Sequence, residues 1–158
     1  MRTVLAAAAV AVALGSACHR ERDRKPLPPD DAIQILHDRI WIDHVPRGQQ
    51  DRFHLALFDP EGVGLVQHRT IWKGDFEIFF HAADGARLTI DRPDRGRGVT
   101  VGFTVEPART REGADARLTI DQSPFGVKTY LGFKPEGQTS PDAWLAARFG
   151  RDPAPADR

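Results

Sequence analysis

Period two dominates the middle of this chain. In GVTVGFTVE, Gly98 to Glu106, the apolar Val99, Val101, Phe103 and Val105 alternate with Thr100, Thr104 and Glu106, which predicts a half-buried strand. DFEIFFHA, Asp75 to Ala82, aligns Phe76, Ile78 and Phe80. DRFHLALF, Asp51 to Phe58, aligns Phe53, Leu55 and Leu57. VKTYLGFK, Val127 to Lys134, aligns Val127, Thr129, Leu131 and Phe133. RIWID, Arg39 to Asp43, reads as the first strand. Gly64 to Trp72 alternates less cleanly, with Leu65, Gln67, Arg69 and Ile71 opposing Val66, His68, Thr70 and Trp72. The hexapeptide ARLTID stands at Ala86 to Asp91 and again at Ala116 to Asp121, with Leu and Ile facing one way and Arg, Thr and Asp the other. The flanks of the two copies do not align, and a solenoid needs at least about three units, so these are two strands with the same inside–outside order.

Turn signals separate the strands: Pro60 to Gly64, Lys73-Gly74, Asp84-Gly85, Pro93 to Gly98, Pro107 to Asp115 and Ser123 to Gly126. Asp84-Gly85 is the strongest cue for a tight hairpin. After Pro135 to Ser140 the period changes. Ser140 is a helix N-cap, Pro141 suits the first helical position and Gly150 is a stop, with Trp144, Leu145 and Phe149 on the apolar side. The expectation is an all-β domain of eight antiparallel strands in an up-and-down barrel, with a short C-terminal helix docked on the sheet. A β-sandwich is the alternative, because strand count does not separate the two.

The N-terminus changes the picture from fold to address. Arg2 is followed by Val4 to Leu14 without a charged residue, a run too short for the roughly 20 residues of a membrane-spanning helix. It reads as the apolar region of a signal peptide. Gly15, Ser16 and Ala17 then precede Cys18, the single cysteine of the chain. This resembles the lipobox of bacterial lipoproteins, with Gly15 where leucine is commoner. The resemblance implies cleavage before Cys18, a diacylglycerol thioether and an acylated (palmitate-type) amino terminus. With ~0.8 kcal/mol per buried methylene, two or three chains hold a protein on the bilayer for good. His19 to Lys25 alternates charges, and Pro26, Pro28 and Pro29 follow, which reads as an extended tether. The expected organisation is signal peptide 1–17, lipidated tether 18–31, barrel domain 32–150 and a polar tail 151–158. His19 rather than aspartate after the cysteine favours, by the same resemblance, the outer membrane facing the periplasm.

With one cysteine no intrachain disulfide forms, so stability rests on a core. Basic and acidic residues balance at 22 each, and removal of 1–17 takes away only Arg2 among them. That balance gives no general attraction to nucleic acid. A tryptophan in the first strand, eight strands in succession and a following helix are similar in outline to lipocalins, over Ala32 to Gly150. Arg39-Ile40-Trp41 stands where the lipocalin motif has Gly-x-Trp, and Lys134 is at best a substitute for the arginine of the last lipocalin strand. Arg39 to Phe58 and the SPFG segment before Tyr130 are also similar to envelope lipoproteins without an assigned activity.

The lipocalin likeness implies a small hydrophobic ligand in or at the mouth of the barrel. Trp41, Phe53, Phe76, Phe80, Phe103 and Phe133 are the candidate ligand-binding residues, on faces expected to point inward with Leu118, Ile120 and Leu131. The competing reading is that these bulky residues simply fill a small barrel, leaving a structural module that contacts another envelope protein. His54, His68 and His81 sit on three candidate strands that pairing could bring together, but independent surface histidines are the expected reading, and no spacing suggests a metal site or a cofactor. Ser123 and Ser140 lie in no nucleophile motif, so no enzyme is expected. Arg92, Arg95 and Arg97 crowd one turn, balanced by Asp91 and Asp94, as a polar hairpin tip or a basic contact for an acidic partner.

Overall fold

The computed structural model describes residues 25–96, 98–135, 137 and 140–150. In chain order the elements are helix α1 (Pro29–His37), strands β1 (Ile40–Ile42), β2 (Phe53–Phe58), β3 (Val63–Arg69), β4 (Gly74–Asp84), β5 (Arg87–Asp91), β6 (Val99–Pro107), β7 (Ala116–Ile120) and β8 (Thr129–Phe133), and helix α2 (Pro141–Phe149). The eight strands form one closed antiparallel barrel in sequence order. Strand β1 closes it by pairing with both β2 and β8, through Trp41↔Ala56 and Trp41↔Gly132. Closure pairs every strand on both sides, so no edge is left open. The Asp84-Gly85 cue marks the tight β4–β5 hairpin, where Asp84 pairs with Arg87 and Gly85 takes φ +58°.

Register sorts each strand into a lumen face and an outer face. Around the barrel the lumen receives Trp41, Phe58, Phe79, Leu88, Phe103, Leu118 and Tyr130, among others, all buried. Helix α1 closes one end. Pro29 at its first turn and Asp30 and Asp31 beside its positive pole favour a start there. Ala32 and Leu36, one turn apart, face the barrel core. The Leu36 carbonyl accepts a hydrogen bond from Trp41 Nε1 at 2.9 Å, and the Leu27 N–H donates to the Val105 carbonyl at 2.8 Å. The helix begins within the 18–31 stretch read as tether, and it fills a segment for which the alternating pattern predicts no element.

A second core lies outside the barrel. The Ser140 hydroxyl accepts from the Ala143 N–H at 3.3 Å and caps α2 as expected. Trp144 and Leu145 pack with the outward side chains of β8, β1 and β2, namely Phe133, Ile40, Ile42, Phe53 and Leu55. Arg69, 2 % exposed, fixes the start of α2. Its guanidinium donates to Asp142 and to the carbonyls of Thr70 and Ile71, at 2.9 and 3.0 Å for the two carbonyls.

These two cores correct the expected inward faces. Phe53 and Phe133 are buried, but on the outer wall beneath α2. On β4 the phase is reversed: Phe76, Ile78 and Phe80 point outward, 66, 49 and 51 % exposed, and the lumen takes Glu77, Phe79 and His81. The reason is pairing. Phe79 lies opposite Gly64, whose missing side chain leaves the space the ring occupies. The rest of the outer wall is polar, as the ARLTID order predicts. Arg87, Thr89 and Asp91 face out, and the Thr89 and Thr100 hydroxyls meet at 3.0 Å.

Candidate functional site at the barrel mouth

The end of the barrel opposite α1 carries an inward row of polar side chains. Ile42 pairs with Leu55, so Asp43, next along, stands beside His54, and its N–H donates to the His54 carbonyl at 3.1 Å. His54 pairs with His68, and His68 with Asp75. Four adjacent strands thus place Asp43, His54, His68 and Asp75 side by side. The two imidazoles stack face to face, 4.6 Å apart and 3° from parallel.

Asp43 orients the first of them. Its Oδ1 accepts from the His54 and His44 backbone N–H groups at 3.0 and 2.8 Å, and its Oδ2 lies 3.0 Å from His54 Nδ1. With Nδ1 turned to the carboxylate, Nε2 is the ring nitrogen left to meet a ligand. His44 joins Asp43 to Asp51. The Asp51 carboxyl is held below its usual range, chiefly by the Arg47 N–H that it accepts.

Two loops roof the mouth. Arg92, before the 3-10 turn Pro93–Arg95, reaches down to Glu77 on β4 with both arms of its guanidinium, Nη2 to Oε2 at 2.6 Å. It also donates to the Pro124 carbonyl in the β7–β8 loop and lies 5.4 Å above the Phe125 ring. Hydrogen bonding from Arg92 holds the Glu77 carboxyl below its ordinary range, and the Arg95 charge adds to the effect. Phe125 packs onto Phe79, ring centres 4.8 Å apart, and so plugs the barrel from above. Between roof and row is a cavity of about 420 Å³ lined by His54, Val66, His68, Asp75, Phe76, Glu77, Arg92, Arg95 and Phe125. Below it the lumen holds packed core side chains. The Tyr130 hydroxyl is buried there with no hydrogen-bond partner among the described residues, and burial pushes its pKa up.

The cavity offers one flat aromatic wall, a small apolar floor and a rim of both charges. Arg92 is satisfied by Glu77, whereas the side chains of Arg95 and Asp75 make no hydrogen bond among the described residues. Such a site suits a small amphipathic molecule with a flat or apolar body and a polar edge. Among the described residues, no group of three or more His, Cys, Asp or Glu side chains is placed to hold a metal ion.

Of the ligand residues expected from sequence, only Phe76 borders this cavity. Trp41 and Phe103 are core residues of the lumen, Phe53 and Phe133 lie under α2, and Phe80 is on the bare outer wall. Cys18 and Arg97 fall outside the described residues. His54 and His68 do come together, but His81 goes to the closed end, its ring 5.5 Å from that of His37 and its Nε2 without a hydrogen-bond partner among the described residues. Burial lowers the pKa of His81 and of His37. The parts that apolar patterning overlooked are Asp75, Glu77, Arg92, Arg95 and Phe125. Their signal was the crowded DRPDRGRG turn and the SPFG segment, which meet only across the mouth. No known protein family, no curated protein and no solved structure matches the chain.

Proposed function

We propose that this is a non-enzymatic lipoprotein of the bacterial cell envelope, anchored through an acylated Cys18 in the outer membrane and facing the periplasm, whose barrel mouth binds one small amphipathic ligand. The signal-like N-terminus with its lone cysteine supports the anchor. The mouth cavity carries the binding reading, since the lumen beneath it is lined by packed, buried side chains. The ligand stacks its body against His54 and Phe125 and turns polar groups to His54 Nε2, His68, Asp75 and Arg95. A deep, purely hydrophobic guest does not suit this geometry. The filled lumen also favours a second reading, a module that contacts another envelope protein through its surface.

Native mass spectrometry of the Cys18→Ser protein, purified gently from bacterial periplasm, tests the binding reading. The expected result is a discrete added mass that organic extraction removes and that Phe125→Ala reduces at least about tenfold, for the loss of one stacking face. A bare mass before and after addition of periplasmic small-molecule extract counts against a ligand and favours the surface module.

A further inference from the structure

The outer wall of the barrel has three sectors of different chemistry. Helix α2 covers β8, β1 and β2, and β5 to β7 present threonine and charge. The sector of β3 and β4 is apolar and bare. Val63 pairs with Phe80, Leu65 with Ile78 and Gln67 with Phe76. Val63, Phe76, Ile78 and Phe80 are 43, 66, 49 and 51 % exposed. Beside them a groove of about 410 Å³ runs between Leu57, Leu65 and Ile78 and the chain from His37 to Ile40. Since β5 to β7 show that this sequence keeps an exposed wall polar where water is the neighbour, a contiguous apolar sector marks a contact.

We infer that this β3–β4 face rests on the surface of the lipid bilayer. The inference builds on the anchored reading above. Cys18 lies seven residues before Lys25, where the described chain begins. Fully extended, that segment spans about 25 Å at 3.3–3.6 Å per residue. Leu27 is bonded to β6. From there β4 is two strands away, roughly 10 Å at 4.7–4.9 Å per strand. An anchored barrel therefore always has its apolar sector within reach of lipid. With about 200 Å² for a large side chain, the four exposed residues offer on the order of 400 Å² of apolar surface. By its apolar area the sector makes a vesicle contact of its own, which the anchor only prolongs.

The test uses the Cys18→Ser chain, which has no other cysteine, carrying a single nitroxide at Ile78→Cys on the bare sector or at Thr89→Cys on the polar sector. With phosphatidylethanolamine–phosphatidylglycerol vesicles, the label at 78 should gain collisions with dissolved oxygen and lose collisions with a water-soluble nickel complex, while that at 89 stays as in water. Phe76→Ser with Phe80→Ser should lower vesicle flotation at least about tenfold, as expected from losing two aromatic side chains. Both positions are exposed, so the fold should survive, which circular dichroism checks. Labels unchanged by vesicles overturn the inference. Immobilisation at 78 that follows protein concentration without lipid also overturns it, in favour of a second copy. Failure of the anchor itself is read separately, from the absence of fatty-acid incorporation into Cys18 in the unmutated chain.

Discussion

At the scale of single residues, the phase of β4 hangs on one glycine. A Cβ at Gly64 would stand 2.1 Å from the Phe79 ring, which has no room to retreat between Phe58 and Phe125. Gly64→Ala should therefore lower stability by about 1–3 kcal/mol, the usual cost of overpacking, as measured by denaturant titration. The run FEIFFHA holds two alternating faces, and hydrophobicity alone selects Phe76, Ile78 and Phe80. The structure selects Glu77, Phe79 and His81, because the partner strand has space only there and because Arg92 satisfies the charge of Glu77. That pairing has a pH signature. The folded Glu77 carboxyl is held below its ordinary value near 4.5, so its stabilising effect is full above that value and fades as pH falls through the folded pKa. Glu77→Gln should lower stability at neutral pH and make the acid limb of a pH–stability curve shallower. An acid limb of unchanged slope would show that the Arg92 contact does not persist in solution.

At the scale of elements, strand positions were largely readable and strand faces were not. All eight strands and α2 lie where alternation, turn residues and the Ser140 cap place them, within a few residues. Helix α1 was hidden because its apolar positions are few and a proline pair precedes them, yet Pro29, Asp30 and Asp31 are a helix-start signal. Helix α2 explains why face reading failed on β2 and β8. Packed on the outer wall, it makes both faces of those strands apolar, so alternation no longer tells lumen from exterior. Trp144 sits among Phe133, Phe149 and the outward side chains of β1 and β2. Trp144→Ala should cost about 3–5 kcal/mol, the range for a large buried aromatic, and lower the thermal midpoint of the whole barrel rather than release α2 alone. A separate early transition of α2 in calorimetry would contradict the shared core.

At the scale of the molecule, the barrel divides labour between its ends. One end is closed by α1, with the buried His81 beside the half-buried His37. The other holds the stacked pair His54 and His68 under a roof tied by Arg92. If Cys18 carries the anchor, Cys18→Ser should move the protein from the membrane fraction to the soluble periplasmic fraction. Retention in membranes after washing would remove the lipid anchor from the proposal. The six-residue ligand set read from the sequence assumed an apolar pocket, and of the six only Phe76 borders the mouth cavity. Its other walls come from β2, β3, β4 and two loops, remote from each other in the chain.

By itself the sequence determined an all-β chain of eight strands with a C-terminal helix, and it pointed to export through its N-terminal pattern. Those properties follow from local order: period two, turn residues, caps and a short apolar run. Which face of each strand points inward, which carboxylate meets Arg92, and that two histidines stack at one mouth were decided only by closure of the barrel. Register couples residues far apart in sequence, and a shift of one residue would exchange lumen for exterior along a whole strand.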